Sequence, residues 1–366
     1  MEQKHTAKGH HHEAGHPTVH GPPVKEGRPH SLYYYLMFFC LFGSVLPFIA
    51  ANITTYVITR GVIKQKAFDQ LVSIRDIKKT EMEAFFFERR ADAFQLSANN
   101  VFKTVAASYV DTFHTGGLDG DAYAEIDRKY GAILISFAEA YQYYDAMIVD
   151  MDGNVVASAR DRPDLGKNVL TGPYAQTPLK DAFVMGKAGI DILDMKWYEP
   201  ANHPAMFISA PITRDLTEKT IAVLVVHLDN RKINDIMTQR SGLGETGETY
   251  LVGQDFSLRS DSRFIKEPNV LKTKVDTRAA REALAGNTDT GEMRNYRNVK
   301  VLTAYTPINI TYDVRWALIV DMDKDEALRM ESSVKQQFLY IAASLVLLWT
   351  VIILIFHRRM VGKVMT

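Results

Sequence analysis

The sequence has a single cysteine in 366 residues, Cys40, and it falls inside an uncharged run. No disulfide can form within the chain, so an oxidising compartment is neither required nor excluded. No charge of one sign dominates, with 43 basic against 43 acidic residues. The absence of a single-sign field excludes nucleic acid as an expected partner. No serine elbow and no phosphate loop is present, and no Cys/His cluster of zinc spacing. The chain is therefore read as not an enzyme, and no cofactor is expected.

What the sequence does have is two long apolar runs. Phe338 to Phe356, FLYIAASLVLLWTVIILIF, carries no charge, and about 19 residues suffice to cross a bilayer as a helix. The second run, Leu32 to Ile58, opens with Tyr33, Tyr34 and Tyr35, residues that favour the membrane interface. It is longer than a signal-peptide core, and some thirty polar residues precede it. Lys25 and Arg28 lie before the first run; His357, Arg358, Arg359 and Lys363 follow the second. The positive-inside rule then predicts both termini in the cytoplasm and the middle outside, a multi-pass topology in contact with lipid.

Residues 1–30 hold seven of the eleven histidines and many Gly and Pro, which reads as a disordered cytoplasmic tail. His12-Glu13-Ala14-Gly15-His16 matches HExxH in letters, but Gly15 and Pro17 deny it the helix that the zinc chemistry needs. The expectation is no metal site there, beyond weak binding through His12 and His16.

Apolar spacing predicts a first span at 32–58 and one stalk helix at 62–114, about 75–80 Å long at 1.5 Å per residue. A helix of that length is not expected inside one compact core. Its aromatic stretch around Phe85, Phe86 and Phe87 either packs on the domain's own sheet or forms a dimer seam. Beyond it a helix is predicted over 121–140, then strands at 146–149 and 155–159 around the Asp152-Gly153 turn, a helix over 179–185, and strands at 190–198, 205–212 and 220–228. The same grammar then returns: Tyr305-Thr306-Pro307-Ile308 echoes Ser209-Ala210-Pro211-Ile212, about 95 residues later. Two tandem modules are predicted, at 115–230 and 231–323. A connecting helix at 324–337, the second span at 338–356 and a basic cytoplasmic end at 357–366 follow. The fold class is α+β, with antiparallel sheets in both modules.

This organisation, with Gly242-Leu243-Gly244-Glu245-Thr246-Gly247-Glu248-Thr249-Tyr250-Leu251-Val252-Gly253 and Arg259-Ser260-Asp261-Ser262-Arg263 after it, resembles the double Cache sensor domain of bacterial transmembrane receptors. Ser73 to Lys79 resembles that family's first helix. The resemblance implies PAS-like modules, a periplasmic sensor in the bacterial inner membrane, a homodimer and a small-molecule ligand in the membrane-distal module. Ligand binding would be passed to a cytoplasmic signalling output, such as a chemoreceptor, kinase or cyclase domain, which is missing here. The chain is expected either to stop before that output or to act through a separate partner. An alternative is an anchored periplasmic binding or scaffold subunit with no output of its own.

Met195-Lys196-Trp197-Tyr198 resembles the Arg-x-Trp-Tyr of the amino-acid-binding version, with Met195 in the arginine's place and His227 in that of its aspartate. The ligand-binding residues expected are Tyr143, Tyr174, Lys196, Trp197, Tyr198, Ser209 and His227. Aromatics with a cation suit a small carboxylate or a polar organic molecule. Gly242-x-Gly244-x-x-Gly247 also spells a dinucleotide fingerprint, but a strand follows it where that motif needs a helix. Arg259, Asp261 and Arg263 read either as an anion site or as a surface ion-pair network.

Overall fold

A computed structural model describes residues 29–160, 163–214 and 219–364. The His-rich tail, with His12 and His16, lies outside the described residues. The chain divides into two compact units, one holding Val57–Gln337 and the other the segments up to Tyr56 and from Phe338.

Helix α1 runs Pro29–Ala98 and α2 runs Asn100–Gly116. The single stalk helix expected to reach His114 is thus interrupted at Asn99. That residue leaves helical geometry, and its side chain accepts a hydrogen bond from Phe102 N to cap a new helix. No Gly or Pro marks the break. Nor does α1 stand clear of the modules. Leu71, Ile74, Met82, Phe85, Phe86 and Ala93 are buried against both of them. Phe87 is 75% exposed.

The first module continues with α3 (Asp121–Ala140), β1 (Asp145–Asp150), β2 (Val155–Ser158), α4 (Pro178–Ala188), β3 (Asp191–Tyr198), β4 (His203–Thr213) and β5 (Thr220–Leu228). The strands form one antiparallel sheet in the order β2-β1-β5-β4-β3. Ile148, Leu224, Val226 and Ile208 face α1, α2 and α3; Met147, Val149, Val223, Val225 and Phe207 face α4. Period-two alternation assigns the two faces, and both are apolar because both are covered.

Helix α5 (Arg231–Thr238) leads to the second module: β6 (Glu248–Val252), α6 (Arg278–Leu284), β7 (Asp289–Arg294), β8 (Lys300–Asn309) and β9 (Arg315–Asp323). Its sheet order is β6-β9-β8-β7. That is the first sheet's order without an equivalent of β2, whose place is taken by a single bridge between Val252 and Leu258. The duplication is visible in register: Pro211 lies opposite Val223 and Pro307 opposite Ala317. Helix α7 (Lys324–Ala327) follows β9 directly, then α8 (Arg329–Val364). Two helical stretches, Val45–Ala98 and Ser333–Ile355, are long and apolar enough to cross a membrane.

The Gly242–Gly247 loop binds an anion, though not a nucleotide. Glu326 of α7 accepts hydrogen bonds from Glu245 N at 2.7 Å, Thr246 N at 2.6 Å and Thr246 Oγ1. Gly244 sits at φ +61°, where a Cβ would meet Glu326 Oε1 at 2.4 Å. Burial opposes ionisation of Glu326, but these donors outweigh it and hold its pKa below the usual glutamate value.

Candidate functional site

The α4 face of the first sheet ends in a row of side chains without aliphatic character. Asp145 and Phe207 both lie directly opposite His227 in the ladder, so three neighbouring strands present Asp, His and Phe side by side. Tyr198 closes on them edge-on, 5.2 Å from Phe207 and 5.6 Å from His227 between ring centroids. Tyr144 lies 4.5 Å and Phe207 4.9 Å from His227, and His203 stacks on it at 5.1 Å. Asp164, 4% exposed, comes from the loop after β2, and Tyr174 from the turn before α4.

Two buried carboxylates set the electrostatics. Asp145 accepts from Ala146 N at 2.7 Å, Ala159 N at 3.1 Å and Ser158 Oγ at 2.8 Å. Burial nonetheless pushes its pKa up to about 6, with the charge of Asp164 acting in the same direction. Burial, then Asp164, raises the Tyr174 and Tyr198 phenols far above their ordinary range. The Tyr198 hydroxyl is buried and makes no hydrogen bond of ordinary geometry among the described residues. His203 Nδ1 lies 2.8 Å from Pro204 O, to which it donates. The set therefore offers carboxylates, phenols, imidazoles and ring faces.

Of the seven residues singled out in the sequence, Tyr174, Tyr198 and His227 come together here. Ser209 shares the face but lies under α4, where a Cβ on Gly186 would meet its Cβ at 2.7 Å. Tyr143 belongs to the opposite face; its hydroxyl donates to Asp92 Oδ2 at 3.0 Å, and Arg89 lies 5.4 Å from its ring. Trp197 points away from Tyr198 into a groove of about 830 Å³ between the modules, with Lys272 5.6 Å from its ring. Lys196 is half exposed and bonds to Asp181 at 2.9 Å. It supplies no cation to the Tyr198 cluster; Arg160 lies 5.6 Å from the Tyr144 ring instead. Asp164 sits in a loop rich in Gly and Pro, with no pattern to single it out; Asp145 and His203 were equally unmarked.

The strand that carries Tyr198 is also held from the second module. A β-bulge between Leu193 and Lys196 turns Asp194 outward. Its carboxylate accepts from Arg259 Nε at 3.1 Å, Arg259 Nη2 at 2.8 Å and Trp316 Nε1 at 2.8 Å. Arg259 is 3% exposed and also pairs with Asp255 at 2.9 Å, so it belongs neither to an anion site nor to a surface network. Phe86 of α1 meets Trp316 edge-on at 5.4 Å.

The Cache domain family model matches residues 59–330, most of the chain. No curated protein matches the chain. Among solved structures, the ligand-binding domain of the Pseudomonas fluorescens chemoreceptor CtaA in complex with L-isoleucine aligns at 14% identity and a TM-score of 0.48, covering 74% of this chain and 98% of that one. The corresponding domain of Campylobacter jejuni Tlp3 in complex with 4-methylisoleucine aligns at 12% identity and 0.49, covering 72% and 94%. That of the Pseudomonas aeruginosa PAO1 amino acid chemoreceptor PctB with L-Gln aligns at 15% and 0.47, covering 76% and 98%.

Proposed function

Because the chain belongs to the double Cache family, we propose that it is an extracytoplasmic sensor whose first module binds a small polar molecule between Tyr174, Tyr198 and His227. The observation that carries this reading is the convergence of Asp145, Asp164 and six aromatic or imidazole rings at one end of the sheet. Buried carboxylates and phenols favour a ligand that brings hydrogen-bond donors or a positive group to them. Binding shifts β3, and Asp194 carries the shift to Arg259 and Trp316. Strand β9 then passes it to α7 and α8, and the apolar stretch of α8 takes it across the inner membrane to a cytoplasmic output.

Relative motion between helices needs a second copy, and α1 offers a surface for one. Ile77, Ala84, Phe87, Phe94 and Ala98 are exposed at heptad positions, with Phe87 75% and Phe94 56% exposed. Apolar side chains repeating at a and d are the pattern of helix pairing.

A thermal-shift screen of the full chain in nanodiscs tests the ligand site, because binding to the folded state alone raises Tm. A compound from a panel of amines, amino acids, carboxylates and purines is expected to raise Tm, and Tyr198→Phe and His227→Ala to lose the response. A response that both variants keep unchanged, or none from the whole panel, refutes the site.

A further inference from the structure

At the opposite end of β1 from Asp145, three metal-ligating side chains converge from two elements. His114 comes from the last turn of α2; Asp150 ends β1, and Asp152 lies in the turn after it. His114 Nε2 is 3.1 Å from Asp150 Oδ2 and 3.8 Å from Asp152 Oδ2, and all three donor atoms fall within 4.8 Å of one another.

The cluster gathers two carboxylates around one imidazole. Asp150 is fully buried and Asp152 stands beside it, yet among the described residues neither pairs with a lysine or arginine. Two adjacent carboxylates and one imidazole nitrogen make a donor set that suits a divalent cation.

The geometry agrees. Bonds of 2.0–2.2 Å to a common ion place neighbouring donor atoms about 3.0–3.5 Å apart. The His114–Asp150 separation already has that value, and Asp152, 73% exposed at its side chain, is free to close the rest. The buried ligand is also fixed in direction. Asp150 accepts from Asn154 N and Asn154 Nδ2, both at 2.8 Å, and Asn168 Nδ2 donates to Asn154 Oδ1 and to Asp152 O, both at 2.9 Å. Such outer hydrogen bonds orient metal ligands.

We propose that His114, Asp150 and Asp152 bind a divalent transition-metal ion of the zinc class, tying the end of α2 to the β1–β2 turn. One nitrogen and two oxygens suit zinc or manganese better than calcium or magnesium, which take oxygen alone. The remaining coordination positions face solvent. This proposal does not depend on the ligand site around Tyr198.

The test is zinc binding to the full chain in nanodiscs, by equilibrium dialysis and by thermal shift in Zn²⁺. Zinc taken up by the histidines of residues 1–30 would be common to all variants, so the readout is the difference between variants. Asp152→Asn changes an exposed side chain and keeps the metal-free Tm. Asp152→Asn and His114→Gln are each expected to lose one equivalent of zinc and the zinc-dependent rise in Tm. If both variants keep the wild-type stoichiometry and the wild-type rise, the cluster is an ordinary ion pair and the proposal fails.

Discussion

Replacing Asp194 by alanine tests the junction between the modules most directly. The substitution leaves Arg259, 3% exposed, with only Asp255 and the Ser257 carbonyl, and it removes the acceptor of Trp316 Nε1 at 2.8 Å. Breaking a buried charge pair costs about 3–5 kcal/mol, and an orphaned buried donor about 1–3 kcal/mol. The retained Asp255 contact pulls the first figure to its low end, so about 3–5 kcal/mol is expected in all. For a domain this large that lowers Tm by roughly 10 °C. Asp194→Asn keeps an acceptor for the indole but loses the charge, and should cost about half as much. Urea unfolding of the full chain in nanodiscs, followed by tryptophan fluorescence, measures both. A double-mutant cycle with Trp316→Phe should give a coupling of about 0.5–3 kcal/mol. Costs below about 1 kcal/mol for Asp194→Ala, with no coupling, would show that the modules do not lean on this carboxylate.

Three further outcomes follow from the same geometry. Asp321 accepts from Thr303 Oγ1 at 2.6 Å and Tyr250 Oη at 2.8 Å and lies opposite Glu248, yet burial pushes its pKa up to about 6. Between about pH 4 and 6 the folded chain therefore holds a proton that the unfolded chain has lost, and stability falls as pH rises through that window. Asp321→Asn should flatten the curve by at most about 3 kcal/mol in denaturant titrations at pH 4 and 7, and an unchanged slope would count against the shift. Gly244→Ala places a Cβ at 2.4 Å from Glu326 Oε1 at a positive φ; it should destabilise the fold by about 1–3 kcal/mol, read by thermal unfolding. Phe87→Cys should give a disulfide-linked dimer on mild oxidation in membranes, and a purely monomeric product would remove α1 as the pairing surface.

Much of this architecture was legible because each layer repeats a simple period. The run Ala146 to Val149 in β1 and the run Ile221 to Val226 in β5 read as strands because both their faces are apolar, and the echo of Pro211 in Pro307 revealed the second module. The misses have local causes. Nothing but the capping habit of asparagine marked the break at Asn99. Strand β7, DTGEMR, carries one apolar side chain larger than a methyl because it lies at the sheet's edge. Lys196 was assigned to the pocket by its neighbours, but the bulge at Asp194 resets which side chains of β3 face which way. The burial of Arg259 was not legible because the carboxylate that ties it to the first module, Asp194, lies 65 positions away by subtraction of their numbers. Three of seven expected ligand residues meet for the same reason: strand alternation is visible in a sequence, whereas contacts across loops are not.

The cradle around Glu326 has a consequence for how this joint can be found. Two of its three donors are main-chain amides, so they survive any change of side chain at Glu245 or Thr246 that keeps the amide hydrogen. Alanine at 245 or 246 would register only the Thr246 hydroxyl and would pass over the two amides. A proline at 245 or 246 deletes one amide hydrogen outright. At these two positions the link between the second sheet and the helix that follows it is therefore silent to alanine and exposed by proline.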